Sequence, residues 1–260
     1  MQAELKKYPE KEKSDNGDSI IEISHLQKAF GHNKVLTDFN LVIRKGENVV
    51  VLGKSGSGKS VLIKCIVGLL KYDSGSLKVF GNEINTLSNR DLDQLRSRIG
   101  FVFQSSALYD SMTVRENLEF SLRRHGKHKT REEVKHLVEE TLDDVGLLKA
   151  INLMPSELSG GMRKRVGLAR SVIMKPEIIL YDEPTTGLDP ITAREITSLM
   201  LDMQAHYNIS SVIISHDMFC AQKTADRLTV LIDGTNYADG TFDELSNLDD
   251  PQVHAFFEKE

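Results

Sequence analysis

The 260-residue sequence has no tryptophan, two cysteines and six prolines. Cys65 and Cys220 alone build no disulfide scaffold, so a reducing compartment is the expectation. No run approaches the ~20 consecutive apolar residues that cross a bilayer, and any contact with a membrane is expected to pass through a partner. Basic excess is also lacking. The 33 Lys+Arg against 38 Asp+Glu leave a net charge of −5, the wrong sign for a surface that displaces counterions from nucleic acid. The first residues, MQAELKKYPEKEKSDNGD, lack the apolar segment of a secretory signal and carry too many acids for a transit peptide. Their few apolar side chains do not offset the cost of ordering, so residues 1–18 are expected to form a flexible arm.

From Ser19 the pattern changes. Ile20–Ile23 and Phe39–Ile43 alternate as strands do, and Val49-Val50-Val51-Leu52 is a solid apolar run after the turn Arg44-Lys45-Gly46-Glu47. A solid run bounded by turns describes a strand buried on both faces, which points to a parallel sheet. Lys59–Leu70 follows with apolar residues on most faces and is expected to be a largely buried helix. Val114–Leu122 and Glu132–Leu148 have helical spacing, split by the basic stretch Arg123–Lys129, and suggest a helical insertion over about residues 106–160. Alternation of helix and strand then returns with helix Gly161–Met174, strand Ile178–Asp182, helix Ile191–His206, and strands Ser211–Ser215 and Leu228–Asp233. Residues 241–260 are expected to be a short extension of one helix and an amphipathic tail, too few for a regulatory domain.

The chemistry begins at Gly53-Lys54-Ser55-Gly56-Ser57-Gly58-Lys59-Ser60, which fits G-x-x-x-x-G-K-[ST] between a buried strand and a helix. The glycines let the backbone curl into a nest of inward N–H groups, and the helix adds its positive end. Lys59 is expected to reach the β- and γ-phosphates, and the Ser60 hydroxyl to ligate Mg²⁺. Alone, this motif leaves kinases, GTPases and many ATPases open. Farther on, Ile178–Glu183 is an apolar strand ending in two acids, at the strand end where open α/β sheets bind ligands. Asp182 there suits the Mg²⁺ shell, and Glu183, one residue on, suits a general base for water. Leu158-Ser159-Gly160-Gly161-Met162 precedes a helix carrying Arg163, Lys164 and Arg165. With Ser159 at the N-cap and two glycines after it, this is either a second anion-binding helix end or a plain capped helix.

Taken together these motifs resemble the nucleotide-binding subunit of an ATP-binding cassette (ABC) transporter, from Ser19 to about Gly240. The resemblance implies an α/β P-loop NTPase (RecA-like) core with an inserted α-helical subdomain, ATP and Mg²⁺ as ligands, and ATP hydrolysis coupled to transport. In that family LSGGQ completes the ATP site of a second copy in a head-to-tail dimer. Here Met162 replaces the glutamine, while Ser159, Gly160 and Gly161 are intact. Phe30 matches the aromatic that stacks on adenine, the alternative being a core phenylalanine. Gln104 matches the glutamine that senses Mg²⁺, Asp189 lies in the loop Gly187-Leu188-Asp189-Pro190 linking the two sites, and His216 matches the histidine contacting the γ-phosphate.

Within the family, Val61 after Ser60 where most members carry threonine, the segment Gln104–Asn117, and the LSGGM form are similar to the ATPases of Mla-type phospholipid transporters. That resemblance implies a peripheral location on the cytoplasmic side of the inner membrane, and phospholipid moved between the inner and outer membranes of a bacterium. It also implies as partners a polytopic permease, an MCE-domain protein and a small STAS-like subunit. An ABC ATPase for another cargo, and a non-transport ABC ATPase, are the alternatives.

Overall fold

A computed structural model describes residues 19–125 and 129–258. The arm expected over residues 1–18 lies outside the described residues, as do positions 126–128 of the basic stretch and the last two residues of the tail. The alternating segments at the start form β1 (Ser19–Phe30) and β2 (Asn33–Arg44), an antiparallel pair turning at Gly31 with φ +60°. Next come β3 (Asn48–Leu52), α1 (Lys59–Ile66), β4 (Ser74–Val79), β5 (Asn82–Glu83), α2 (Asn89–Arg96) and β6 (Ile99–Val102). The helical stretch holds α3 (Val114–His125) and α4 (Arg131–Asp144), and α5 (Gly160–Val172), β7 (Ile178–Asp182), α6 (Pro190–Tyr207) and β8 (Ser210–Ile214) follow. The chain ends with α7 (Met218–Thr224), β9 (Arg227–Ile232), β10 (Thr235–Gly240), α8 (Phe242–Ser246) and α9 (Pro251–His254).

The described strands join one sheet in the order β5-β4-β1-β2-β10-β9-β3-β8-β7-β6. From β9 to β6 every pair is parallel, β5, β4, β1 and β2 pair antiparallel with one another, and β10 joins the two groups, antiparallel to β9 and parallel to β2. The parallel half is covered on both faces. Val50 and Leu52 of β3 join a core with α3, α4, α5 and α6, while Val49 and Val51 pack with α1 and the antiparallel strands. Two-sided burial is why β3 reads as an unbroken apolar run instead of alternating.

Several boundaries differ from the sequence expectations. Helix α1 stops at Ile66 rather than Leu70, because Gly68 takes φ +65° and the Val67 and Gly68 carbonyls accept hydrogen bonds from the Arg96 guanidinium. Helix α4 begins with a capping box between Thr130 and Glu133 and ends before Gly146 at φ +69°, short of Leu148. Strands β4, β5, β6 and β10 and helices α2 and α7 had no sequence signal distinct enough to name them. Beyond Gly240 there are two short helices instead of one. The second buries Val253, and Phe257 meets Phe242 edge-on at 5.3 Å between ring centroids. Cys65 and Cys220 are both buried free thiols, and burial pushes each up to about 11, which leaves them unreactive. Among the described residues no helix is long and apolar enough to cross a membrane.

Candidate nucleotide site

Four adjacent parallel strands deliver the expected residues to one edge of the sheet. Strand β3 runs into the loop 53–58, β8 into His216, β7 into Asp182 and Glu183, and β6 into Gln104. Open parallel sheets bind ligands at this carboxyl edge because all the loops there converge.

The loop curls through Gly56 at φ +79° and Gly58 at φ +106°. At Gly58 glycine is required twice over, since a Cβ would also stand 2.7 Å from Val35 Cγ1. Lys54, Ser55 and Gly56 are exposed, while Gly53, Gly58 and Lys59 are buried. Lys59 Nζ donates to the carbonyls of Gly53 (2.6 Å) and Lys54 (3.2 Å) and lies 4.0 Å from Glu183 Oε1. Burial lowers the Lys59 pKa, and the carboxylates of Glu183 and Asp182 offset part of that. Ser60 Oγ donates to Asp182 Oδ1 at 3.2 Å. Val61 instead packs its side chain on the core, which leaves only its backbone N–H for a ligand.

Glu183 adopts φ +52°, a left-handed conformation rare for this residue type and one that functional sites tolerate. Its Oε2 is 2.7 Å from His216 Nδ1 and accepts from the Thr186 hydroxyl at 3.2 Å. The structure thus brings Lys59, Ser60, Asp182, Glu183 and His216 into one cluster. Gln104 stands one strand away with an exposed side chain, and its carbonyl accepts Lys164 Nζ at 2.6 Å. Phe30, at the far end of β1, is 48% exposed, which excludes the core alternative, and Lys28 Nζ lies 5.3 Å from its ring centroid.

The second helix end is elsewhere. Ser159 caps α5 by accepting from Met162 N–H at 3.2 Å. Gly161 is glycine for packing, because a Cβ would stand 2.7 Å from Thr192 Cγ2 on α6. Asp189 caps α6, accepting from the Ile191 and Thr192 amides and from the Thr192 hydroxyl. Ser159, Gly160, Gly161 and Asp189 line an open cavity of about 630 Å³. No residue of 53–61, nor Asp182, Glu183 or His216, lines it.

The family described as ABC transporter matches residues 36–186. This chain belongs to that family. Among the ABC relatives, the "Probable ribonucleotide transport ATP-binding protein mkl" of Mycobacterium tuberculosis is 38% identical over 236 residues, covering 91% of this chain. The chain spans 66% of that relative's length. The "Intermembrane phospholipid transport system ATP-binding protein MlaF" of Haemophilus influenzae is 36% identical, covering 93% of this chain and 91% of MlaF. A methionine import ATP-binding protein, MetN of Campylobacter jejuni, is 37% identical, covering 87% of this chain and 72% of its own. The ATP-binding cassette MJ0796, solved as a dimer after hydrolysis with ADP and Pi, superposes with a TM-score of 0.77 at 31% identity, covering 85% of this chain and 98% of MJ0796. The family match and the likeness to a cassette solved with ADP and Pi place this chain among the ABC cassettes.

The donor set at the cluster fits one divalent ion. Among the described residues no three His, Cys, Asp or Glu side chains converge as a metal cage. A hydroxyl and one carboxylate, Ser60 and Asp182, are what Mg²⁺ uses when phosphate and water complete its shell. Among the described residues Ser57 Oγ is buried without a hydrogen-bond partner, a donor suited to an anion held in the loop.

Asp182 carries a cost in the absence of nucleotide. Burial raises its pKa, with the Ser60 hydroxyl opposing and Glu183 adding to the rise. A folded-state pKa above the unfolded value means that stability falls as pH rises through that window. The penalty is full above the folded pKa and absent below the unfolded one. Asp182→Asn is therefore expected to raise the Tm of the nucleotide-free, EDTA-treated protein at pH 8 by about 2–4 °C. The gain shrinks toward zero as pH falls below the carboxylate range. Thermal melts at both pH values check this, and a lower Tm at pH 8 would contradict it.

One residue of the cluster was not foreseen. Lys164 is 6% exposed and its Nζ lies 3.4 Å from the Glu183 carbonyl as well as 2.6 Å from that of Gln104. The sequence did carry a signal for it. Gly161, Lys164, Leu168 and Val172 share one helical stripe, which sends this cation inward between the more exposed Arg163 and Arg165.

Proposed function

We propose that two copies of this chain close head to tail on two ATP molecules and use hydrolysis to drive a membrane permease that moves phospholipid. The observation that carries the dimer is the separation of two anion-binding helix ends on one chain. The end at Lys59 stands with the acids, and the end at Ser159 faces a different cavity. A second copy turned through two-fold symmetry would bring each to the other, and the dimeric likeness of MJ0796 supports that arrangement.

In the proposed step the oxygen of a water bonds to the γ-phosphorus as the bond to the bridging oxygen breaks, and Glu183 takes the water's proton. His216 holds Glu183 by donating Nδ1–H, and its doubly protonated form would also donate Nε2–H to a phosphate oxygen. Lys59 exchanges its loop carbonyls for the β- and γ-phosphates. Phe30, exposed at the end of β1, offers its face to adenine, and Gln104 completes the metal side of the site from β6. Bound at Ser60 and Asp182, Mg²⁺ would neutralise charge on the phosphate oxygens. ATP can shift the dimer only through its greater affinity for the closed form.

The cargo reading rests on the likeness to MlaF, which runs nearly the full length of both chains. The likeness to MetN favours a second reading, methionine as cargo. The two separate in one experiment. A tagged copy is purified from membranes with the permease that accompanies it, and the complex is reconstituted in vesicles. ATP-dependent transfer of a headgroup-labelled phospholipid supports the first reading. Methionine uptake without lipid transfer would replace it. An MCE-domain protein or a STAS-like subunit in the same preparation would add the proposed partners.

A further inference from the structure

Helix α5 meets the chain after Gln104 at three heights along one side. Lys164 Nζ donates to the Gln104 carbonyl at 2.6 Å. One turn on, Gly167 lets Ser106 approach so closely that a Cβ would stand 3.2 Å from Ser106 Cβ. A further turn on, the Arg170 guanidinium donates to the Ala107 carbonyl at 2.7 Å and to that of Ser106 at 3.1 Å. Ser106 and Ala107 are consecutive non-glycine residues at φ +63° and +43°, a backbone that persists only when its surroundings hold it. Of these contacts only Lys164 also reaches the other side of the site, at the Glu183 carbonyl, where the backbone is again left-handed at φ +52°. A buried ammonium is costly unless it is used. This one faces Glu183 and Asp182 without a direct ion pair to either among the described contacts.

We propose that Lys164 is a positioning residue for ATP hydrolysis: its ammonium ties the carbonyl of Gln104 to that of Glu183 and so sets where both side chains stand. The inference rests on the role assigned to Glu183. Because α5 begins at Ser159–Gly161, the same rigid helix carries the end that would meet the partner's ATP and the tie that holds the chain's own acid. Loss of the tie misplaces Glu183 by a fraction of its reach, and displacements of about 1 Å can cost ~10²-fold in rate.

The test uses the full chain. Lys164→Met fills the same space without the donor, and is expected to lower kcat about 10- to 100-fold while ATP Kd stays within about 2-fold. Lys164→Arg, which keeps charge and donors, should recover most of the rate. In a Glu183→Gln background, single-turnover hydrolysis should change less than about 2-fold on adding Lys164→Met, because both act through one group. If the Met variant does not fold, Lys164→Gln keeps a polar end one atom too short to span both carbonyls, and the same split is expected. Wild-type kcat in a folded Met or Gln variant would overturn the proposal. So would an equal fold-loss with and without Glu183, which is the mark of a general structural effect. If Glu183→Gln alone hydrolyses ATP at the wild-type rate, the reading of the site itself fails, and that result is separate from the behaviour of Lys164.

Discussion

Glu183→Gln binds ATP with affinity equal to or tighter than the wild type and hydrolyses it about 10²–10⁴-fold more slowly. Both halves of this expectation follow from its contacts. An amide keeps the shape and still offers an oxygen or nitrogen to His216 and Thr186, which now bond Oε2 at 2.7 and 3.2 Å. It does not accept a proton from water. Affinity does not fall, because the carboxylate that goes is the one 4.0 Å from Lys59 Nζ, where it competes with phosphate for the ammonium. The closed, ATP-loaded dimer should accumulate, and size-exclusion chromatography with bound-nucleotide analysis reads it directly. Near wild-type turnover in the purified variant would remove Glu183 as the base.

Mixing two dead variants restores activity if the site is shared. Lys59→Ala removes the charge from the phosphate loop, and Ser159→Arg fills the helix end that lines the other cavity. Either homodimer then has no complete site. A mixed dimer gathers both lesions in one composite site and leaves the other with an intact loop from one copy and an intact α5 end from its partner. Differentially tagged, doubly purified mixtures are expected to trap one ATP per dimer and to regain hydrolysis from a background near zero. Trapping is measured beside turnover because sites that fire only in concert would trap without cycling. A self-contained site predicts neither trapping nor hydrolysis in any mixture. That outcome would end the head-to-tail reading.

Much of this site was legible because it is local. Within a dozen residues a solid apolar strand, a glycine-rich turn and Lys59-Ser60 specify a phosphate loop, since backbone curl and helix start need nothing from elsewhere. Ser159 as N-cap is equally local, as is the strand that ends in Asp182 and Glu183. Less local elements fared worse. Strands β4 and β5 and helix α2 are short and polar, and they acquire their structure from neighbours: β4 from β1, β5 from β4, and α2 from the core it shares with α1. The end of α1 is not legible in the sequence because Leu69 and Leu70 continue the apolar pattern, while the stop depends on Arg96, 28 residues away from Gly68.

Short stretches of the sequence carry the local pieces of the proposed site: a glycine-rich loop that runs into a helix, an acid pair at a strand end, and a second capped helix with two glycines. Tertiary structure alone decided which groups meet. Ser60 and Asp182 are 122 residues apart, Lys164 and Gln104 are 60 apart, and His216 and Glu183 are 33 apart. Those encounters depend on the order β3-β8-β7-β6, and buried parallel strands that are apolar on both faces carry little information about their neighbours or register. Only the packed sheet places His216 between the loop and the acids, and only packing brings the Lys164 ammonium against the carbonyls of Gln104 and Glu183. The physical reason is the same for both. A side chain's partner is chosen by the free energy of the whole buried layer, which no stretch of a dozen residues contains.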